Sequence, residues 1–168
     1  KSQGAKVFCT VGSAEKAAAC LEVGADAAID YRRQDFVAET MRLTGNRGVD
    51  VVLDMVGGPY IEKNLKILAL EGRLVQIAFL QPSRVEVDWL PLMVKRLTYT
   101  GSTLRPRPPA EKARLAQQLR THLWPLLERG EALPRIYRTF PLEQAAQAHA
   151  LMESSEHIGK IMLAVRAG

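Results

Sequence analysis

Cysteine is scarce in this chain of 168 residues: only Cys9 and Cys20 are present, eleven positions apart. That spacing is neither a disulfide framework nor a zinc-ligand pattern, and a reducing cytoplasm is the simplest setting for it. Long apolar runs are missing as well. No stretch of about 18 apolar residues occurs, so no membrane partner is expected. The opening KSQGAK lacks the apolar core of a signal peptide. Basic runs interleaved with aromatics are also absent. The net charge of +5 is spread among acids, which argues against nucleic acid as the main partner. A phosphorylated small molecule fits a local excess of positive charge equally well.

Catalytic constellations are missing too. His122, His149 and His157 have no Ser, Cys or carboxylate partner at recognisable spacing. Asp26 and Asp30 follow no carboxylate-pair logic. No catalytic residue is therefore assigned, and two distant cysteines with three scattered histidines do not make a tetrahedral metal site. Such a chain suits a reaction whose chemistry is carried by a cofactor.

What is present is alternation. With 47% apolar and 24% charged residues, the chain has the make-up of a globular domain. Strands are expected at Lys6–Thr10, Ala27–Tyr31, Val49–Met55, Gly72–Ala78 and Leu97–Thr103. Helices are expected at Ser13–Val23, Gln34–Leu43, Pro59–Leu70 and Asp88–Lys95, with Ser13 as an N-cap. Val49–Met55 is almost continuously apolar, which suits a strand covered on both faces. Strand and helix in alternation predict right-handed βαβ units, hence an α/β fold with a doubly wound parallel sheet.

The pattern changes at Arg105-Pro106-Arg107-Pro108-Pro109, a stiff turn. A long helix is expected from Pro109 to Arg129, kinked or shortened by Pro125. Strand Ile136–Phe140, helix Leu142–Ser155 and strand Ile158–Val165 follow, with no further βαβ repeat. Two parts are expected: residues 1–131 and a closing segment, 132–168.

The stretch VFCTVGSAEK ends its strand with a hydroxyl and a lysine, where nucleotide folds often place an acid against a ribose. A dinucleotide fold also opens with a strand and a glycine-rich turn at a helix N-terminus. No such turn occurs here, since Gly57-Gly58 is only a pair. Counting back about twenty residues from Gly12 places it before Lys1, so the first part is expected to be an incomplete dinucleotide-binding domain.

Read in order, VFCTVGSAEK, AIDYRRQDF, GVDVVLDMVGG, LKILALEGRLVQIAF, LTYTGSTLRPR, RTFPLEQAAQAHALMES and HIGKIML resemble successive blocks of one family. It is the zeta-crystallin-like NADPH:quinone oxidoreductases, zinc-independent members of the medium-chain dehydrogenase/reductase superfamily. The resemblance covers their C-terminal half. It implies a Rossmann-type domain binding NADPH, with hydride passing to a small quinone or enone.

It further implies that Ser13, Lys16 and Tyr31 hold the phosphate on the adenine ribose. Charge-assisted bonds of this kind contribute about 1.5–3 kcal/mol each, enough to prefer NADPH over NADH. Arg32 and Arg33 add positive field or are simply solvated. Taken singly, Ser13 is an ordinary cap, Lys16 a surface lysine and Tyr31 a packing residue. Gly57 lets a ribose approach the backbone, or only makes a turn. Ile77, Ala78 and Phe79 would face the nicotinamide carboxamide, although Phe79 also reads as core. Lys160 would lie near the cleft, or stand exposed on its strand. Arg105 and Arg107 could meet an anion, though loop arginines are usually solvated. The resemblance implies a homodimer through the edge strand 97–103. Two alternatives remain: a non-catalytic dimerising module of the same fold, and half of a zinc-dependent alcohol dehydrogenase.

Overall fold

The computed structural model describes residues 1–165. Contacts divide the chain into two units, Lys1–Pro106 and the part from Arg107 onward. The helix after the proline turn therefore groups with the second unit.

In the first unit, strand β1 (Phe8–Val11) leads through Gly12 and Ser13 to helix α1 (Ala14–Glu22), and strand β2 (Ala27–Asp30) to helix α2 (Phe36–Leu43). Strand β3 (Val49–Asp54), helix α3 (Tyr60–Ile67) and strand β4 (Leu68–Gln76) follow, then helix α4 (Leu90–Val94) and strand β5 (Thr98–Gly101). Ser13 caps α1, its Oγ accepting from the Lys16 N–H, and Asp35 caps α2 through the Val37 N–H. All pairings are parallel: β1 with β2, and β3 with β4 with β5. The doubly wound α/β expectation therefore holds, with β5 at the edge of its sheet among the described residues.

Two expectations give way. The helix expected to run to Leu70 ends at Ile67, and β4 begins at Leu68 and stops at Gln76, before Ala78. Leu68 and Ala69 are fully buried, and Leu68 pairs with Val49, so burial against β3 overrides a helix-forming sequence. Lys95 seals the junction, its ammonium donating to the Lys66 and Leu68 carbonyls, both at 2.8 Å. Burial pushes the Lys95 amine below its ordinary pKa. Nor is β3 covered on both faces, because Val51 and Leu53 are exposed.

The two sheets share no hydrogen-bonded strand pair among the described residues. A groove of about 880 Å³ runs between β1 and β3, lined by residues 4–10 and 47–56. Its base is an apolar cluster of Ile29, Phe36 and Ile67, with Val49, Val52 and Tyr60 packed against it. That cluster draws on β2, α2 and α3, so packing joins what strand pairing does not. A second cluster, Leu65, Leu68 and Leu74, is essentially inaccessible; burying each such side chain is worth about 1.5–3 kcal/mol.

In the second unit, helix α5 (Pro109–His122) breaks at Leu123 before the short helix α6 (Trp124–Glu128), where Pro125 cannot continue the ladder. Strand β6 (Ile136–Pro141) pairs in parallel with strand β7 (Lys160–Ala164). Between them come one 3-10 turn and helix α7 (Ala145–Ser154). No helix among the described residues is long and apolar enough to cross a membrane.

Candidate nucleotide site at the strand tips

The carboxyl ends of parallel strands are where ligands sit in folds of this class. Here they form two groups in the first unit. At the tips of β1 and β2, the Tyr31 N–H donates to the Val11 carbonyl at 3.0 Å, which carries the pairing one residue past the strands. The Tyr31 ring then folds over Gly12. A Cβ added to Gly12 would stand 2.7 Å from the Tyr31 Oη and 3.5 Å from the Arg32 Nε. With any larger residue at position 12 the Tyr31 ring would have to shift. Ser13 is the next residue in the chain, and its hydroxyl accepts the Lys16 N–H at 3.3 Å within its own helix turn. Lys16 is half-buried in the first turn of α1.

Sequence reasoning did not weigh Glu15. The Ser13 hydroxyl donates to its carboxylate, which also takes the Glu15 backbone N–H, and Arg33 lies close enough to act on it. The backbone bond first, then Ser13 and Arg33, hold Glu15 below the usual carboxylate range. An acid therefore stands two residues beyond Ser13 after all. The preference for acids in the first turn of a helix was the available signal.

At the tips of β3 and β4 the arrangement differs. Asp54 is buried, and its carboxylate accepts the Val56 N–H at 2.7 Å and the Gly57 N–H at 3.2 Å. Gln76, also buried, donates from Nε2 to the Ala78 carbonyl at 2.7 Å, while its Oε1 accepts the Tyr99 hydroxyl at 3.2 Å. The Ile77 N–H donates to the Asp54 carbonyl at 2.8 Å, and the Gln81 N–H to that of Val56 at the same distance. Gly57 has φ +69°, and a Cβ there would meet the Phe79 ring at 2.5 Å. The glycine pair thus makes room for the protein's own Phe79. Phe79 itself is half-exposed rather than core.

Tyr60, another residue the sequence did not single out, links the two groups. Its ring stacks on Phe36 at 4.9 Å and meets Tyr31 edge-on at 6.3 Å. Its phenol is bonded to the Thr10 side chain, and burial raises its pKa. The fold therefore sets Tyr31 and Arg32 against Gly12, the residue before Ser13, and Phe79 against Gly57. Lys160 belongs to the second unit, where it opens β7 as an exposed residue and its N–H donates to the Arg135 carbonyl at 2.8 Å. Arg107 pairs with Glu111, also in that unit.

Comparison with known proteins gives the frame for this geometry. Residues 23–163 match the zinc-binding dehydrogenase family. Over 164 residues the chain is 28% identical to a quinone oxidoreductase of Rattus norvegicus, covering 97% of this chain and 48% of that protein. The crystal structure of the Escherichia coli quinone oxidoreductase complexed with NADPH superposes with a TM-score of 0.81 at 28% identity, over 96% of this chain and 50% of that one. A crystal structure of an NAD-dependent alcohol dehydrogenase superposes at 0.82 with 32% identity, over 97% and 45%. The chain spans about half the length of these relatives. It belongs to the zinc-binding dehydrogenase family. Zinc itself finds no fit here: among the described residues, no three His, Cys, Asp or Glu side chains come together.

Proposed function

We propose that this member of the zinc-binding dehydrogenase family supplies the coenzyme half of an NADPH-dependent oxidoreductase, one that reduces a small quinone or enone. The observation that carries the reading is the seating of Tyr31 on Gly12, beside the Ser13 cap. The Tyr31 phenol and the Arg32 guanidinium, from the tip of β2, reach Gly12 at the tip of β1, and Ser13 is the next residue along the chain. Lys16, one helical turn from Ser13, adds an ammonium. A ribose phosphate bound there would take hydrogen bonds from Ser13, Lys16 and Tyr31, and would compete with Glu15 for the Ser13 hydroxyl. The two solved relatives differ in the coenzyme their descriptions name, so the choice falls to these side chains.

When bound, NADPH supplies the hydride, and the residues of this chain hold and orient it. The loop of Ile77, Ala78 and Phe79, fixed by Gln76 and Asp54, is a rigid backbone edge for the nicotinamide carboxamide. Lys160 serves the cleft once the remaining half of the enzyme is present.

The groove between β1 and β3 supports the view that the nucleotide domain is incomplete here. It has an open strand edge on either side and apolar residues at its base, the setting for one more parallel strand. The glycine-rich turn that grips a pyrophosphate would follow that strand. The edge of β5 suits pairing with a second copy as a homodimer, and the thiols suit a reducing cytoplasm.

Titration followed by reduced-nicotinamide fluorescence tests the proposal. Weak binding is expected, with NADPH favoured over NADH by about tenfold. Equal affinity for the two coenzymes would contradict the phosphate cradle. Micromolar NADPH binding would contradict the missing strand and turn.

A further inference from the structure

Cys9 and Cys20 are far from a disulfide pattern in sequence, yet the fold brings them together. Cys9 lies in β1 and Cys20 in the second turn of α1, the helix that packs back on that strand. Both are half-buried free thiols, and their side chains are hydrogen-bonded to one another. A bond between thiols sets the two sulfurs side by side, on elements whose backbone is already fixed by strand pairing and by the Ser13 cap. A disulfide needs the two sulfurs within bonding reach; rotation about χ1 moves the sulfurs, and the bonded thiols already set them next to one another.

We propose that Cys9 and Cys20 are an oxidation site that closes an intramolecular disulfide, tying β1 to α1 across the Gly12–Ser13 turn. The step is a two-electron oxidation. Each thiol gives up its hydrogen and one S–S bond forms. A peroxide accepts the two electrons and two protons, its O–O bond breaking to leave two waters. Burial, with the neighbouring sulfur adding to it, raises the Cys9 thiol above its ordinary value. The pair therefore stays reduced at neutral pH without an oxidant, and closes faster as pH rises.

The test uses the native protein and diamide, a diazene that takes up the same two hydrogens to become a hydrazine. After acid quenching and iodoacetamide treatment, intact mass should show a monomer two hydrogens lighter with no alkylated cysteine. Digestion should give one peptide joining Cys9 to Cys20. An eleven-residue spacing could close in an unfolded chain too, so the equilibrium with a glutathione redox couple is measured with and without urea. Folding should favour the disulfide by at least about tenfold, since the fold supplies the proximity. Two alkylated thiols after native oxidation, bonds only between chains, or no advantage over the urea-unfolded chain would each overturn the proposal. None of these readouts depends on coenzyme binding.

Discussion

The tips of β1 and β2 and the tips of β3 and β4 occupy equivalent places in one parallel fold, yet they satisfy their polar groups differently. At β3 and β4 the key side chains are buried: Gln76 reaches partners distant in sequence, the Asp54 carbonyl and Tyr99, and Asp54 holds its own Gly57 turn against the loop bearing Phe79. At β1 and β2 the side-chain bonds of Ser13 run within its own turn, to Glu15 and to the Lys16 N–H, and Glu15 and Arg32 stand exposed. The first arrangement is closed by the protein itself and serves as scaffold. The second can be rearranged at little cost, which is what a ligand needs. Changes at the scaffold should therefore cost stability, and changes at the open tip should cost binding.

The sharpest break in that contrast is Asp54→Ala. It strands the Val56 and Gly57 N–H groups in a buried turn and should cost about 2–4 kcal/mol in urea unfolding. A loss under about 0.5 kcal/mol would remove the distinction between the two tips. Gly57→Ala should follow at about 1–3 kcal/mol, because the left-handed backbone and the Phe79 ring both oppose a Cβ. Pairing it with Phe79→Ala should recover the packing part and leave the backbone part. At the open tip, Ser13→Ala loses a helix cap, about 1 kcal/mol, and weakens binding of a 2′-phosphorylated adenosine by about tenfold. Tyr31→Phe should move stability by less than about 0.5 kcal/mol and still weaken that binding.

Acid sensitivity supplies the smallest effect per group. Hydrogen bonds from Lys1, Arg42 and Arg47 hold Asp26, Glu39 and Asp50 below their ordinary pKa values. A carboxyl lowered in the folded state stabilises it at neutral pH. That contribution disappears as pH falls from the ordinary carboxylate range through the lowered values. Urea midpoints measured between about pH 6 and pH 2 should decline gradually, and raised salt should shrink the decline because these pairs are exposed.

Much of this was legible in the sequence because it is local. Alternating strand and helix, the Ser13 cap and the break at Pro125 are each encoded within a few residues. The start of β4 was not, since LKILALEG is an equally good helix until Leu68 is buried beside Val49. The roles of Gln76, Lys95 and Tyr60 were hidden for a related reason. Their partners lie more than twenty residues away, and such bonds leave no periodic trace. The exception is Ala78, which Gln76 reaches across only two residues. At the candidate site, block order brought out Ser13, Lys16 and Tyr31. The approach of Tyr31 to Gly12 needed the fold.

The most direct measurement compares adenosine 2′,5′-bisphosphate with adenosine 5′-phosphate by amide NMR shifts on this chain, which removes the need for a pyrophosphate turn. The account predicts that the bisphosphate alone shifts Gly12, Ser13, Lys16, Tyr31 and Arg32, and that Lys16→Glu abolishes those shifts. Identical shifts from both ligands, or shifts centred on Gly57 and Phe79 instead, would contradict it.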